Sequence, residues 1–307
     1  MHRFAFISFI IILAGYRQLG LAYQLKFHNN EKIKESSEAF SVMSYNVRLF
    51  DLYNWTGNYK TRAKIFNFLE MENPDILCFQ EYFTSDNPVN KFENNNNLSK
   101  TLKASNYHVE YSSTMKKTMH WGLATFTRFP ILHKGRILYK EGISNFGMYT
   151  DVLIKKDTVR IYNVHLQSNH FREEDYRFIE APDSGSKEHI IKSTKNVLKL
   201  LKKAAIKRAA QVDSLKLDIE NSPYPVILCG DFNDPPFSYT YNQLAKKLND
   251  SFLEEGYGTG ITLIGTVPIY RIDYILHDAL IKCHDFEVLS SQLSDHHPVK
   301  AWFTLSK

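Results

Sequence analysis

The chain has little cysteine. Cys78, Cys229 and Cys283 are its only three in 307 residues. The count is odd and the positions are scattered, so neither a disulfide framework nor a zinc spacing can be read from them. Cys78 and Cys229 lie inside apolar runs, where a free thiol behaves as a small buried hydrophobe. The chain also lacks an apolar run of membrane-spanning length. Its N-terminal candidate, Phe4 to Leu13, is ten residues long with Ser8 as its one polar member, whereas a spanning helix needs roughly 20. No charge of one sign dominates. The formal net charge is +5 and the pI about 8.8, which suits an anionic substrate but falls short of a dedicated nucleic-acid coat. No internal repeat is visible at the level of identity.

The N-terminus departs from this ordinary composition. His2-Arg3 precedes the apolar core, Ala14-Gly15 follow it, and Arg17 and Gln18 stop any longer span. A basic start, a short apolar core and then small residues is the order of an export signal or short membrane anchor. We assign it to residues 1–23. No cysteine follows the core to carry a lipid. The alternative is a misassigned start, which leaves either the remnant of a longer membrane region or a cytoplasmic protein. The polar stretch 24–39 reads as a linker, and residues 40–307 as one domain.

Within that domain, apolar runs alternate with helical patterns. Strands are expected over 39–47, 75–80, 122–127, 226–231, 271–276 and 300–305. A hairpin is expected from 149–154 and 158–166, turning at Lys155-Lys156-Asp157. Helical spacing covers 61–70, 189–218 and 238–248. The asparagine run Asn94 to Asn97 reads as a solvated loop, and 168–187 as an irregular polar segment.

The most informative strand end is Val226-Ile227-Leu228-Cys229-Gly230-Asp231-Phe232-Asn233. A buried strand supplies rigidity, and polar groups emerge where it stops. Residues two apart in an extended chain point the same way, so Asp231 and Asn233 converge. An acid that handles a proton or metal, beside an amide that can donate to a phosphate oxygen, suggests phosphoester chemistry. A plain Asp/Asn turn explains the tetrapeptide taken alone. The same pattern, however, recurs at Asn46, Glu81, His165, Asp273, Asp295 and His296.

Taken in order, the motifs are Ser44-Tyr45-Asn46-Val47, Gln80-Glu81, Asn163-Val164-His165-Leu166, Gly230-Asp231-Phe232-Asn233, Arg271-Ile272-Asp273-Tyr274-Ile275-Leu276 and Ser294-Asp295-His296-His297-Pro298. This series resembles the endonuclease/exonuclease/phosphatase superfamily across residues 40–307. The resemblance implies a two-sheet, four-layer α/β sandwich of mixed and antiparallel sheets flanked by helices, with the site at one edge. It also implies a metal-dependent hydrolase acting on phosphoric esters. Glu81 then looks like the main ligand of Mg²⁺, with Mn²⁺ as a substitute, because this hard cation takes one or two carboxylates and keeps several waters. Asn46 and Asp295 look like its neighbours or the ligands of a second ion. Asp231 would position or deprotonate the attacking water, and Asn233 would hold the scissile phosphate. His165 and His296 would contact phosphoryl oxygens, with Asp273 fixing the His296 tautomer. Arg271 is a further substrate-binding candidate. His297 reads as structural.

The substrate is less legible. Arg48, two positions after Asn46, argues against the abasic-site endonuclease branch. Gly122 to Ile131 and Asp234 to Ser238 look more like the sphingomyelinase and tyrosyl-DNA phosphodiesterase side. A phosphodiesterase, a nuclease proper and a sphingomyelinase-like lipid phosphodiesterase all remain open, so the partner is nucleic acid or phospholipid. A non-catalytic binding module is the reading of another class, and the intact acids and histidines speak against it. Lysines within 192–208 form a basic stripe that fits an anionic surface or an ordinary solvated face. The aromatic segments 49–55 and 170–178 fit either substrate contact or cover for the core. No protein partner is expected.

Overall fold

A computed structural model describes residues 15–25, 34, 36–87, 92–139, 145–181, 186–265 and 271–305. The apolar run 4–13, expected to be the core of an export signal or short membrane anchor, lies outside them. In chain order the strands are β1 (Gln24–Leu25), β2 (Phe40–Asn46), β3 (Ile76–Ser85), β4 (Asn106–Met115), β5 (Met119–Thr127), β6 (Ile131–Leu138), β7 (Phe146–Ile154), β8 (Asp157–His165), β9 (Val226–Asp231), β10 (Asn249–Asp250), β11 (Tyr257–Gly258), β12 (Asp273–His277), β13 (Ile281–Val288) and β14 (Val299–Leu305). The α-helices are α1 (Tyr16–Ala22), α2 (Thr61–Glu72), α3 (Asn94–Thr101), α4 (Glu173–Glu180), α5 (Lys187–Glu220), α6 (Tyr239–Leu244) and α7 (Ser251–Glu255).

Two six-stranded sheets form, in the orders β13-β14-β2-β3-β5-β4 and β10-β12-β9-β8-β7-β6. Strand periodicity makes four layers from them. On β2, Val42 enters the core between the sheets while Met43 and Tyr45 face α2 on the outside. On β9, Ile227 and Cys229 face inward while Val226 and Leu228 face α5 and α6. A strand buried on both faces needs apolar residues at every position, and so these strands read as continuous runs. Cys78 and Cys229 meet inside the inter-sheet core, where burial pushes the Cys229 thiol well up. A polar tie crosses between the sheets here. The Asn163 side-chain amide donates to the carbonyls of Phe79 and Ala124, and Gln80 Nε2 donates to Asn163 Oδ1 at 2.8 Å.

The parallel pairs are β2 with β3 and β8 with β9. Within each pair the C-terminal ends therefore lie together. β12 runs antiparallel to β9, which sets its first residue, Asp273, opposite Asp231, the last residue of β9. His165 sits in register with Asp231 on the other side. One edge of the sandwich thus collects strand ends from both sheets.

Several segments differ from the sequence expectation. The asparagine run is not a loop but the start of α3. Asn94 is fully buried, donates to the Phe83 carbonyl and accepts from Arg62, and Leu98 anchors the helix in the core. Tertiary partners here override weak helix propensity. The irregular stretch after Ser168 contains α4, and strands β4, β6 and β13 carried too little apolar alternation to stand out. The segment 24–39 is not a free linker throughout. β1 pairs with β11, and Lys34 is held by Asp285 and Glu287 over the Trp302 ring.

Gly230 is required by close approach. It has φ +152°, and a Cβ there would stand 2.0 Å from the backbone oxygen of Val164, its neighbour on β8. Gly230→Ala must therefore push β8 and β9 apart. We expect a cost of about 1–3 kcal/mol, read as a fall of at least about 3 °C in Tm. An unchanged Tm would show that the strands have slack at this point.

Candidate active site

The site is organised by one buried carboxylate. Asp231 is 1% exposed, and three side chains from separate elements approach its Oδ2. Asn46 Nδ2 donates at 3.1 Å, His165 Nε2 stands at 3.5 Å and His296 Nε2 at 3.9 Å. The other oxygen, Oδ1, accepts from the Asn233 backbone N–H at 2.8 Å, within a tight turn that gives Asn233 a φ of +53°. Asn233 Nδ2 donates to the Leu166 carbonyl at 3.1 Å, tying this turn to the end of β8.

Asp273 lies behind His296, whose Nδ1 is 2.8 Å from Asp273 Oδ2. Burial alone would lower the His296 pKa. The negative charges of Asp273 and Asp231 and the hydrogen bond to Asp273 override it and push the pKa up to about 10. His296 is therefore an imidazolium at neutral pH. Asp231 moves the other way from an ordinary acid. Burial raises its pKa, the neighbouring Asp273 charge adds to the rise, and the two histidines and the Asn233 N–H oppose it. A carboxylate with raised proton affinity is what a general base for water needs.

The ligand atoms of Asp231, Asp273 and His296 all lie within 4.8 Å of one another. This trio is not our choice for a divalent ion, because a protonated His296 offers a metal no lone pair. Glu81 is different. It sits at a bulge in β3, between the paired residues Phe79 and Tyr82, with φ +48°. Its carboxylate has no hydrogen bond or ion pair among the described residues. It shares a cavity of about 260 Å³ with His165. A half-buried acid without a protein partner fits a hard cation.

Asn46 and Asp295 are more engaged. The Asn46 amide spans from Asp231 to the backbone N–H of Arg48, which it accepts at 3.1 Å. Asp295 Oδ2 is 3.2 Å from Arg48 Nε, and its Oδ1 lies 3.2 Å from the Ser294 hydroxyl oxygen. The same hydroxyl donates to the Asn46 carbonyl at 2.8 Å, pinning the His296 loop to β2. Arg48 reaches this position because the chain leaves β2 through four left-handed residues, Arg48 to Asp51, with φ between 43° and 58°. Such a turn costs about 1–2 kcal/mol per residue. The fully buried Phe50, packed on Phe66, Phe79 and Tyr82, offsets that cost.

The sequence pattern of the Endonuclease/Exonuclease/phosphatase family matches residues 43–296. The chain belongs to the endonuclease/exonuclease/phosphatase family. Members are phosphoester hydrolases and generally use a divalent metal. No curated protein matches the chain. Among solved structures it is similar to an endonuclease/exonuclease/phosphatase from Bacteroides vulgatus, at 15% identity and TM-score 0.63 over 87% of this chain and 99% of that one. It is also similar to the human Nocturnin catalytic domain with bound sulfate anion, at 17% identity and TM-score 0.61 over 88% and 95%. TDP2 from C. elegans aligns at 18% identity and TM-score 0.57 over 87% and 75%. At these identities the likeness shows the fold, which is the two-sheet α/β sandwich implied by the motifs.

Of the residues singled out in the sequence, Asn46, His165, Asp231, Asn233, Asp273 and His296 come together by direct contact. Glu81 borders them through the cavity, and Asp295 through Arg48 and Ser294. His297 points away, with Nδ1 accepting from the Ser291 N–H. Arg271 does not belong to a substrate site. It is 3% exposed, pairs with Asp250 at 2.6 Å and lies over the rings of Phe252 and Tyr274. Arg208 of α5 is buried against Asp234 at 2.9 Å.

Sequence reasoning missed the working position of Arg48 and most of the cavity wall, which includes Leu49, Trp121, Asn145 and Phe146. In the segment 49–55, Trp55 lies against the Arg48 guanidinium at 4.6 Å. The Arg271 correction is testable. Arg271→Ala leaves Asp250 as an unpaired buried charge and should destabilise the chain by about 3–5 kcal/mol. The fraction that remains folded should keep its substrate KM. A raised KM with unchanged stability would return Arg271 to the substrate site.

Proposed function

We propose that the chain is a Mg²⁺-dependent phosphodiesterase that hydrolyses a P–O bond by in-line attack of water. The observation that carries this reading is the convergence of Asn46, His165 and His296 on Asp231, with the free carboxylate of Glu81 beside them. Asp231 accepts the proton of the attacking water. Asn46 and the Asn233 N–H hold its two oxygens, so the base does not rotate. Asp273 keeps the His296 ring oriented and charged, and His296 and His165 offset negative charge on the phosphoryl oxygens. Asn233 keeps one amide hydrogen for the scissile phosphate after donating to Leu166. Glu81 would hold the divalent ion, with Asn46 and Asp295 as its neighbours. That ion, when bound, supplies Lewis-acid polarisation of the phosphoryl oxygen.

A nucleic-acid diester is favoured over a phospholipid by the charge at the rim. His170 is depressed by burial and by the positive charges of Lys207, His165 and Lys203. A cationic margin beside the catalytic histidine suits a substrate with further phosphates. The exposed lysines of α5 extend that margin. Export or anchoring through residues 1–23 would place this activity outside the cytoplasm, and sequencing the mature N-terminus tests it.

With bis-p-nitrophenyl phosphate, turnover should require Mg²⁺ or Mn²⁺ and stop on chelation. Asp231→Asn and Asp273→Asn should each lower kcat by about 10²-fold or more while far-UV circular dichroism is unchanged. Glu81→Gln should raise the Mg²⁺ concentration needed for half-maximal rate. Turnover that survives chelator, or that ignores Asp231→Asn, would overturn the assignment. In a panel of plasmid DNA, RNA and sphingomyelin, cleavage of nucleic acid that weakens steeply with salt is expected. Release of phosphocholine alone would favour the lipid reading.

A further inference from the structure

A second cluster of ligating side chains lies at the other end of β12 from Asp273. It joins Glu254 of α7, His277 at the end of β12 and Cys283 of β13. One ligand atom from each falls within 4.8 Å of the others. The strand places His277 about 13 Å from Asp273, so this cluster is separate from the site described above. β12 and β13 belong to different sheets, and the cluster bridges them.

Hydrogen-bond chemistry gives the cluster its meaning. His277 Nδ1 is 3.0 Å from the backbone carbonyl of Asp278. A carbonyl only accepts, so Nδ1 carries the proton of the neutral ring. Nε2 is then a bare lone pair, and it faces Glu254 Oε2 at 3.1 Å. Two acceptors at that distance need a proton or a cation between them. A proton would satisfy this pair, and the Cys283 thiol has its own partner, donating to the Asp285 carbonyl at 3.5 Å. The thiol is 3% exposed, and its pKa is pushed up mainly by burial and further by the charges of Glu254 and Glu255, against the Ser251 hydroxyl and the Asp285 backbone. A cation would engage all three ligand atoms at once, which lie within 4.8 Å of one another.

The donor set selects the ion. Ligands of one tetrahedral zinc, at about 2.0–2.3 Å from the metal, stand roughly 3.2–3.7 Å apart, close to the spacing of His277 and Glu254. Sulfur and imidazole nitrogen suit zinc, whereas Mg²⁺ demands oxygen. The ring is already oriented, by Asp278 on one side and edge-on contact with Phe303 on another. An Nδ1–H donated to a carbonyl is a usual support for a histidine that binds metal through Nε2. The Glu254 side chain is 37% exposed, so the cluster reaches solvent on that side. We infer that Glu254, His277 and Cys283 form a zinc site, distinct from the catalytic cation site, that clamps the two sheets together. Binding releases the thiol proton to solvent as the zinc–sulfur bond forms.

The test uses the full chain, stripped of metal and then given Zn²⁺ or Co²⁺ in excess Mg²⁺. The wild type should retain about one zinc per chain through gel filtration, and Glu81→Gln should retain the same amount. Cys283→Ser should weaken zinc by at least the roughly 10–100-fold that loss of an outer partner costs. Glu254→Gln should also weaken it. Co²⁺ should give a thiolate charge-transfer band in the near ultraviolet with wild type and Glu81→Gln, absent in Cys283→Ser. The absence of that band in the wild type would overturn the inference and leave an imidazolium–carboxylate pair. So would zinc retention equal in Cys283→Ser and wild type, or retention lost in Glu81→Gln alone.

Discussion

The rest of the site depends on the burial of one acid at the seam between two sheets. Asp231 ends β9 in one sheet, and Asn46, which ends β2 in the other, donates directly to it. A carboxylate in such a place is costly unless its oxygens are satisfied. Here they are satisfied by groups that also have work to do. Asn46 fixes one oxygen and the turn into Asn233 fixes the other. The remaining approach to Oδ2 is left to His165 and to the positively charged His296, which the acid attracts. The same contacts that make the buried charge tolerable therefore align the base with the groups around the phosphate.

This arrangement depends on sheet register. β8, β9 and β12 carry His165, Asp231 and Asp273 as adjacent partners in one row. A slip of one residue would turn each side chain to the opposite face. Gly230 permits the close contact of β9 with β8 just before the row, and the buried Asn163–Gln80 tie holds the opposing sheet below it. The electrostatics divide into two halves. In the Asp231, Asp273 and His296 group the acids are held by hydrogen bonds and by the imidazolium, while the Glu81 carboxylate has no such partner among the described residues and borders the cavity. That division separates proton handling from cation binding.

Much of this was legible in the sequence because strand ends announce themselves. A long apolar run that stops at Asp231 or His165 gives both the strand and the place where its chemistry emerges. What was not legible depends on contacts between distant segments. Arg271 has the composition of a substrate-binding residue, and only the presence of Asp250 beside it makes it structural. Asn94 looks like a loop residue until Phe83 and Arg62 are found around it. Arg48 could not be placed without the left-handed turn that brings it to Asp295. Likewise Glu254, His277 and Cys283 have no recognisable spacing, because the ligands come from a helix and from strands of two sheets.

The central claim is that Glu81, and not the trio of Asp231, Asp273 and His296, receives the catalytic cation while Asp231 remains free to act on water. A crystal grown with Mn²⁺ and measured at a wavelength where manganese scatters anomalously tests it most directly. The account predicts an anomalous peak within bonding distance of the Glu81 carboxylate, with the His296–Asp273 hydrogen bond intact. A peak among Asp231, Asp273 and His296, with none at Glu81, would contradict it.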